Sequence, residues 1–349
     1  AIQRRHADHY CALAEAAEEA LKGDDQARWL ARLDDDYPHL RAALRWGLDQ
    51  GAPELAARIA GALWRFWHLR GYHAEGGMWL AEAVSRRASL PDDLQAKVLN
   101  CLGQVLLEQA RYGEAWQRFE QGLELQRRLG NRLGVARILN NLGMIAENQG
   151  DFDQARRLHG ESLELKRELG DPLATANSLN NLGIVLEAQG NYAEAWGMLE
   201  EGLALRRAHG DHWSVAVSLL NLAQVAYRQG NYRAALALLR ESVELRQALA
   251  DTTGIAWSLE GIANVAAGLH GWVQAVRLWG AAAALRSALG SPLPPSQRTL
   301  YDQNIALARS RLSAQDFAGA WHAHAGRALE DLVEEALSLC RQLEAADAD

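Results

Sequence analysis

Apolar residues recur along most of this chain at helical spacing. In residues 135–149, Leu139, Leu142, Gly143 and Ala146 fall at i, i+3, i+4 and i+7, one face of an α-helix. The polar break QGDF follows at 149–152, where Gly150 supplies a turn and Asp151 can cap the next helix. A second helical run extends from about Phe152 to Leu169 and stops at Gly170 and Asp171. The same breaks return as QGNY at 189–192 and 229–232, and as Gly130 with Asn131 and Gly210 with Asp211.

The recurrence has a period of forty. Gly103, Gly143 and Gly183 are continued by Ala223 and Ala263, and Leu102, Leu142, Leu182, Leu222 and Ile262 precede them. Tyr112, Phe152, Tyr192, Tyr232 and Trp272 form an aromatic column, and Ala115, Ala155, Ala195, Ala235 and Ala275 a small one. Each copy reads as two helices whose small residues mark close approach. One pair cannot bury its own apolar face, so the copies must stack.

This pattern resembles the tetratricopeptide repeat, a helix–turn–helix unit of 34 residues. Six extra residues per copy add about 9 Å of helix, as in the lengthened repeats of bacterial signalling proteins and kinesin light chains. The predicted fold is therefore all-α: a right-handed superhelix of tetratricopeptide-like helix pairs with helical caps at both ends. The expected layout is an N-terminal helical linker or cap over 1–54 and a degenerate Trp-rich pair over 55–95. Five repeats over 96–294 and a C-terminal helical cap over 295–349 complete it. Trp64, Trp67 and Trp79 are expected in the core of the degenerate pair, and Trp116, Trp196 and Trp279 as packing residues on second helices. SPLPPSQ at 291–297 breaks the period, and two or three shorter helices are expected beyond it.

Composition narrows the function classes. The net charge of −8 argues against nucleic-acid binding by this segment. No apolar run approaches a membrane span, and the start carries no signal-peptide pattern. Cys11, Cys101 and Cys340 are scattered and fit a reducing, cytoplasmic setting. A start without Met suggests a piece of a longer protein.

No catalytic motif appears: there is no phosphate loop, no HExxH and no GxSxG. An enzyme is not expected, nor a cofactor. His6 with His9, and His322 with His324, lack a carboxylate at matching spacing, so no metal site is expected. Glu161, Glu164 and Glu168 with Lys166 and Arg167 read as a solvated helix face.

The candidate binding surface is the face of the first helices that avoids the core stripe. Stepping from Asn141 gives Arg137, Asn141, Met144 and Asn148, then Asn177, Asn181 and Ile184, then Asn221, Gln224 and Arg228. Gln104 precedes them, and Trp257 and Asn264 follow; one position over lie Asn100, Asn140, Asn180, Glu147, Glu187 and Tyr227. An amide offers both donors and an acceptor, which suits a peptide backbone or a polar small molecule. The resemblance adds that such repeats hold extended peptides with the asparagine that matches Asn141, Asn181 and Asn221. A second reading stays open, in which these amides bond a neighbouring helix and set the stacking. Asn140 and Asn180 lean toward that reading.

A narrower resemblance rests on WLARLDDDYPHLRAALRWGLDQG at 29–51, LWRFWHLRGYHAEGGMWLAEAV at 63–84, the repeats, and LPP…DFAGAWHAHAGRALEDLVEEAL at 293–337. Together they look like the C-terminal half of bacterial signal-transduction ATPases with numerous domains (STAND), including relatives with LuxR-type or antibiotic-regulator-type DNA-binding modules. The resemblance implies a sensor that binds a small molecule, peptide or protein on its concave face and controls an upstream nucleotide-binding module. The alternative is a constitutive protein–protein scaffold without switching.

Overall fold

The computed structural model describes residues 2–21, 25–289, 293, 295–324 and 327–346. Part of the break expected at 291–297 lies outside them. Among the described residues the regular elements are all helices, with no strand. Four helices come first: α1 (Ile2–Ala20), α2 (Gln26–Asp49), α3 (Pro53–Arg70) and α4 (His73–Ser85), followed by a short 3-10 turn at Arg87–Ser89. The repeats follow as α5 (Asp92–Glu108), α6 (Tyr112–Arg128), α7 (Arg132–Asn148), α8 (Phe152–Glu168), α9 (Pro172–Ala188) and α10 (Tyr192–Ala208). They continue as α11 (His212–Arg228), α12 (Tyr232–Ala248), α13 (Thr252–Gly268) and α14 (Trp272–Leu289). The last three are α15 (Pro295–Arg311), α16 (Ala314–Trp321) and α17 (Leu329–Ala346).

From α5 to α13 every helix has 17 residues, so the extra length falls equally on both helices of a pair. Each spans about 26 Å. The boundaries follow from turn chemistry. Gly130, Gly150, Gly170, Gly190, Gly210 and Gly230 take φ of 66–78°, where a side chain is disfavoured. Next in sequence, Asn131, Asp151, Asp171, Asp211 and Asn231, and likewise Asp251 after Ala250, accept the backbone N–H three residues on, at 2.8–3.2 Å. Ala110, Ala250 and His270 occupy the left-handed position without glycine.

The chain forms two compact units, residues 1–169 and 170–349. In the first, Leu63, Phe66, Trp67, Leu99 and Phe119 are fully buried. Trp67 donates its indole N–H to the Tyr37 hydroxyl at 2.8 Å. In the second, Leu239, Leu259, Ile262 and Trp279 centre the core, and α17 packs on α12 and α13. Cys11, Cys101 and Cys340 are buried and form no disulfide. No described helix is long and apolar enough to cross a membrane.

The repeated glycine has a steric cause. A Cβ on Gly103 would lie 2.7 Å from the Phe119 ring, and one on Gly183 2.6 Å from Leu199. Gly103→Ala should therefore force the buried Phe119 aside and cost about 1–3 kcal/mol. Urea unfolding checks this, with the exposed Gly113→Ala as a control that has open space around it.

Candidate functional site

Successive first helices lie side by side within each unit, α3 against α5 and α5 against α7 in the first, α9 against α11 and α11 against α13 in the second. Side chains forty or forty-one positions apart therefore meet. In the first unit Asn141 donates to the Asn100 Oδ1 at 3.2 Å. In the second, Asn221 donates to the Asn180 Oδ1 at 2.9 Å and Asn304 to the Asn264 Oδ1 at 3.1 Å. The same register pairs Arg228 with Glu187 at 3.1 Å. Thus Asn141 and Asn221 each spend one N–H on the preceding first helix, which satisfies half-buried amides and sets the stacking.

Other wall residues divide by what they touch. Asn148 is exposed and turns back to the Met144 carbonyl at 2.7 Å. Arg137 is exposed, Gln104 and Asn181 are half-buried, and the Gln104 Oε1 is shielded without a partner. Glu147 is half-buried, and burial pushes its carboxyl up to about 7. Asn177 accepts from Arg206 at 2.8 Å. Trp257 lies under Arg286, whose guanidinium carbon is 3.7 Å from the ring centre.

Arg206 and Arg286 belong to a column the sequence analysis missed. Lys166, Arg206, Arg246 and Arg286 repeat every forty residues on the second helices, and all are buried. Lys166 is only 5% exposed, which corrects its assignment to a solvated face; Glu161, Glu164, Arg167 and Glu168 are exposed as expected. Arg206 donates to Asn180, Ser218, Asn177 and the Ser214 carbonyl, tying two successive first helices together. Arg246 reaches Asp251 at 2.7 Å, and Arg286 grips Glu260 with two bonds of 2.8 Å. Burial pushes the guanidinium pKa of Arg206 and Arg246 down. The signal was a basic residue at the same register in the last four of the five copies, with Gln126 in the first. Charge alone suggested solvent, because the sequence does not show which positions end up covered by packing.

Within the second unit the amide pairing is interrupted after Asn221. Where Asn180 and Asn221 meet in one pair of first helices, the next pair presents Leu220 and Gly261. A notch of about 20 Å³ opens there, lined by Leu220, Ala223, Leu239, Gly261 and Val265, with Gln224, Tyr227 and Asn264 at its edge. That volume holds about one water or a methyl-sized group. Gln224 is exposed and Tyr227 half-buried, its hydroxyl pKa raised by burial and then by Tyr232. Asn264 is held by Trp279 and Asn304 through its oxygen, which leaves its N–H groups as donors. Gln224, Tyr227 and Asn264 are therefore brought together around an apolar anchor point.

A family model described as tetratricopeptide repeat matches residues 94–168, 134–208, 173–248 and 214–288, together more than half of the chain. No curated protein is detectably similar in sequence. A solved Rap protein complexed with competence and sporulation factor matches with a TM-score of 0.61 at 11% identity, over 98% of each chain. The apo form of the quorum sensor NprR from B. thuringiensis matches at 0.56 and 15%, over 95% of this chain and 99% of that one. A STAND protein with a tetratricopeptide repeat sensor from Pyrococcus horikoshii matches at 0.55 and 15%, over 96% of this chain. The match covers 54% of that protein's length. At these identities the likeness shows the fold.

Proposed function

Since the chain belongs to the tetratricopeptide-repeat family, we propose that it is the sensing part of a cytoplasmic, multidomain STAND regulator of the LuxR-type or antibiotic-regulator-type kind. It takes an extended peptide on the wall formed by its first helices. The observation that carries this reading is the notch at Gly261. Three groups with uncommitted hydrogen-bonding capacity, on Gln224, Tyr227 and Asn264, surround an apolar point sized for a small side chain. Amides beside a shallow apolar anchor suit an extended backbone better than a compact metabolite, which needs a cavity of about 300 Å³ or more. The STAND and quorum-sensor likenesses support the reading at the level of fold. Ligand binding would favour one arrangement of the repeats and so change contact with a nucleotide-binding module upstream.

A thermal-shift screen of short peptides tests the binding step. A ligand at 100 times its Kd adds about 2.7 kcal/mol. The double variant Gln224→Ala with Tyr227→Ala should then weaken the hit by about tenfold or more, while leaving the melting temperature of the free chain within a few degrees. Unchanged affinity would place the site elsewhere. The reading frame upstream of Ala1 tests the regulator assignment: a phosphate-loop module supports it, and its absence leaves a constitutive scaffold.

A further inference from the structure

The array register that pairs amides also gathers a different set of side chains in the first unit. His68 closes α3, His73 opens α4, and Glu108 closes α5, forty residues after His68. One ligand atom from each lies within 4.8 Å of the others. The His68 Nδ1 is 2.5 Å from one carboxylate oxygen of Glu108, and the His73 Nδ1 is 2.8 Å from the other. The His73 nitrogen is shielded from solvent yet lies outside hydrogen-bonding geometry with its neighbours. Two imidazoles therefore converge on one carboxylate, and one of them aims a lone nitrogen at it without making a bond.

We propose that His68, His73 and Glu108 form a binding site for a divalent transition-metal ion of the zinc class. The donor set suits such an ion, because imidazole nitrogen with one carboxylate is a common zinc environment. Around a tetrahedral ion with bonds of about 2.0–2.1 Å, donor atoms stand about 3.3 Å apart. The two histidine–carboxylate separations are somewhat shorter than that and all three donors lie within 4.8 Å, so a small outward rotation of the side chains admits the ion. The ion takes the place of the proton on the His68 Nδ1, which moves to Nε2 in a neutral imidazole and is released from an imidazolium. Three protein donors leave a fourth position open to water or to an incoming ligand. Arg65 opposes the ion, since its charge acts on His68, and Glu108 offsets it.

The site is reached from two sides in the fold. Gly71, with φ of 73°, turns the chain sharply between His68 and His73. The packing of α3 on α5 brings Glu108 to them. Equivalent positions in the later repeats are Asn148, Ala188, Arg228 and Gly268, so no other copy can build the same triad.

The test uses the full tag-free chain stripped with chelator. Zn²⁺ is titrated against a chromophoric competitor, and Co²⁺ is followed by its visible absorption. The expected result is one ion per chain, with tetrahedral-type Co²⁺ bands. Binding should weaken at least about tenfold in His73→Gln and in Glu108→Gln. Circular dichroism confirms that each variant keeps its helices. Absence of binding by the parent chain overturns the proposal. So does stoichiometric binding that survives both variants, which would assign the ion to other histidines.

Discussion

Replacing Arg286 with alanine is expected to cost the second unit about 3–5 kcal/mol, one of the largest losses available to a single substitution here. The guanidinium and the Glu260 carboxylate are 6% and 10% exposed and joined by two hydrogen bonds of 2.8 Å. Removing the arginine strands a carboxylate among α13 and α14 and also uncovers the Trp257 face. Burial already raises the Glu260 pKa, with Arg286 acting in the opposite direction. Its sign follows from linkage. A carboxyl raised in the folded state carries no penalty below its unfolded pKa near 4.5, and the penalty grows as pH rises through the folded value. The variant should therefore be most damaged at pH 7 and above, and recover part of the loss at pH 4.5. Replacing both partners, Arg286→Met with Glu260→Leu, should restore most of the stability, because neither charge is then left unpaired. Urea unfolding at two pH values measures all three chains. A flat pH response of Arg286→Ala would remove the buried carboxylate as the cause.

Replacing His159 with leucine should stabilise the first unit and abolish much of its acid sensitivity. The side chain is fully buried, and neither ring nitrogen has a hydrogen-bond partner. Its register is held by Phe119, Leu199, Leu239 and Trp279 in the other copies, each at most 1% exposed. Burial, assisted by the Lys166 charge, pushes the imidazole down from 6.5 to about 4. A histidine whose pKa is lowered on folding leaves full stability above the unfolded value of 6.5. As pH falls from there to about 4, the unfolded chain gains a proton that the fold refuses, and about 3 kcal/mol is lost. Leucine fits, because Leu199 packs on Gly183 as His159 packs on Gly143. At pH 7 the gain should be about 1–3 kcal/mol, from removing unsatisfied polar atoms. Between pH 6.5 and 4.5 the parent should weaken steadily and the variant much less. Equal slopes in the two chains would locate the acid response in another group.

Much of the fold was legible before any coordinates. Two recurring turns per forty residues required paired helices, and a glycine followed by Asp or Asn marked where one stopped and the next began. The small residue at 103, 143 and 183 announced a close contact, which Phe119, His159 and Leu199 now supply. The site was legible only in part. Asn141 and Asn221 stood out as wall amides, yet their first partners are Asn100 and Asn180, a side-to-side register that a list of equivalent positions does not contain. Gln224, Tyr227 and Asn264 were each on the candidate face, but nothing in the repeat pattern singled out the gap between Leu220 and Gly261 that brings them together.

The sequence by itself determined what is local or periodic in this protein. Helix ends depend on a few adjacent residues, and an apolar stripe with a constant period requires stacking, whatever the details of the contact. The tertiary structure alone decided which polar positions are buried. That is why Lys166 is buried beside exposed Arg167, and why His68, His73 and Glu108 converge from three helices. A helix pair specifies its own faces, but the environment of a charged side chain on one of them is set by its neighbour's angle and register.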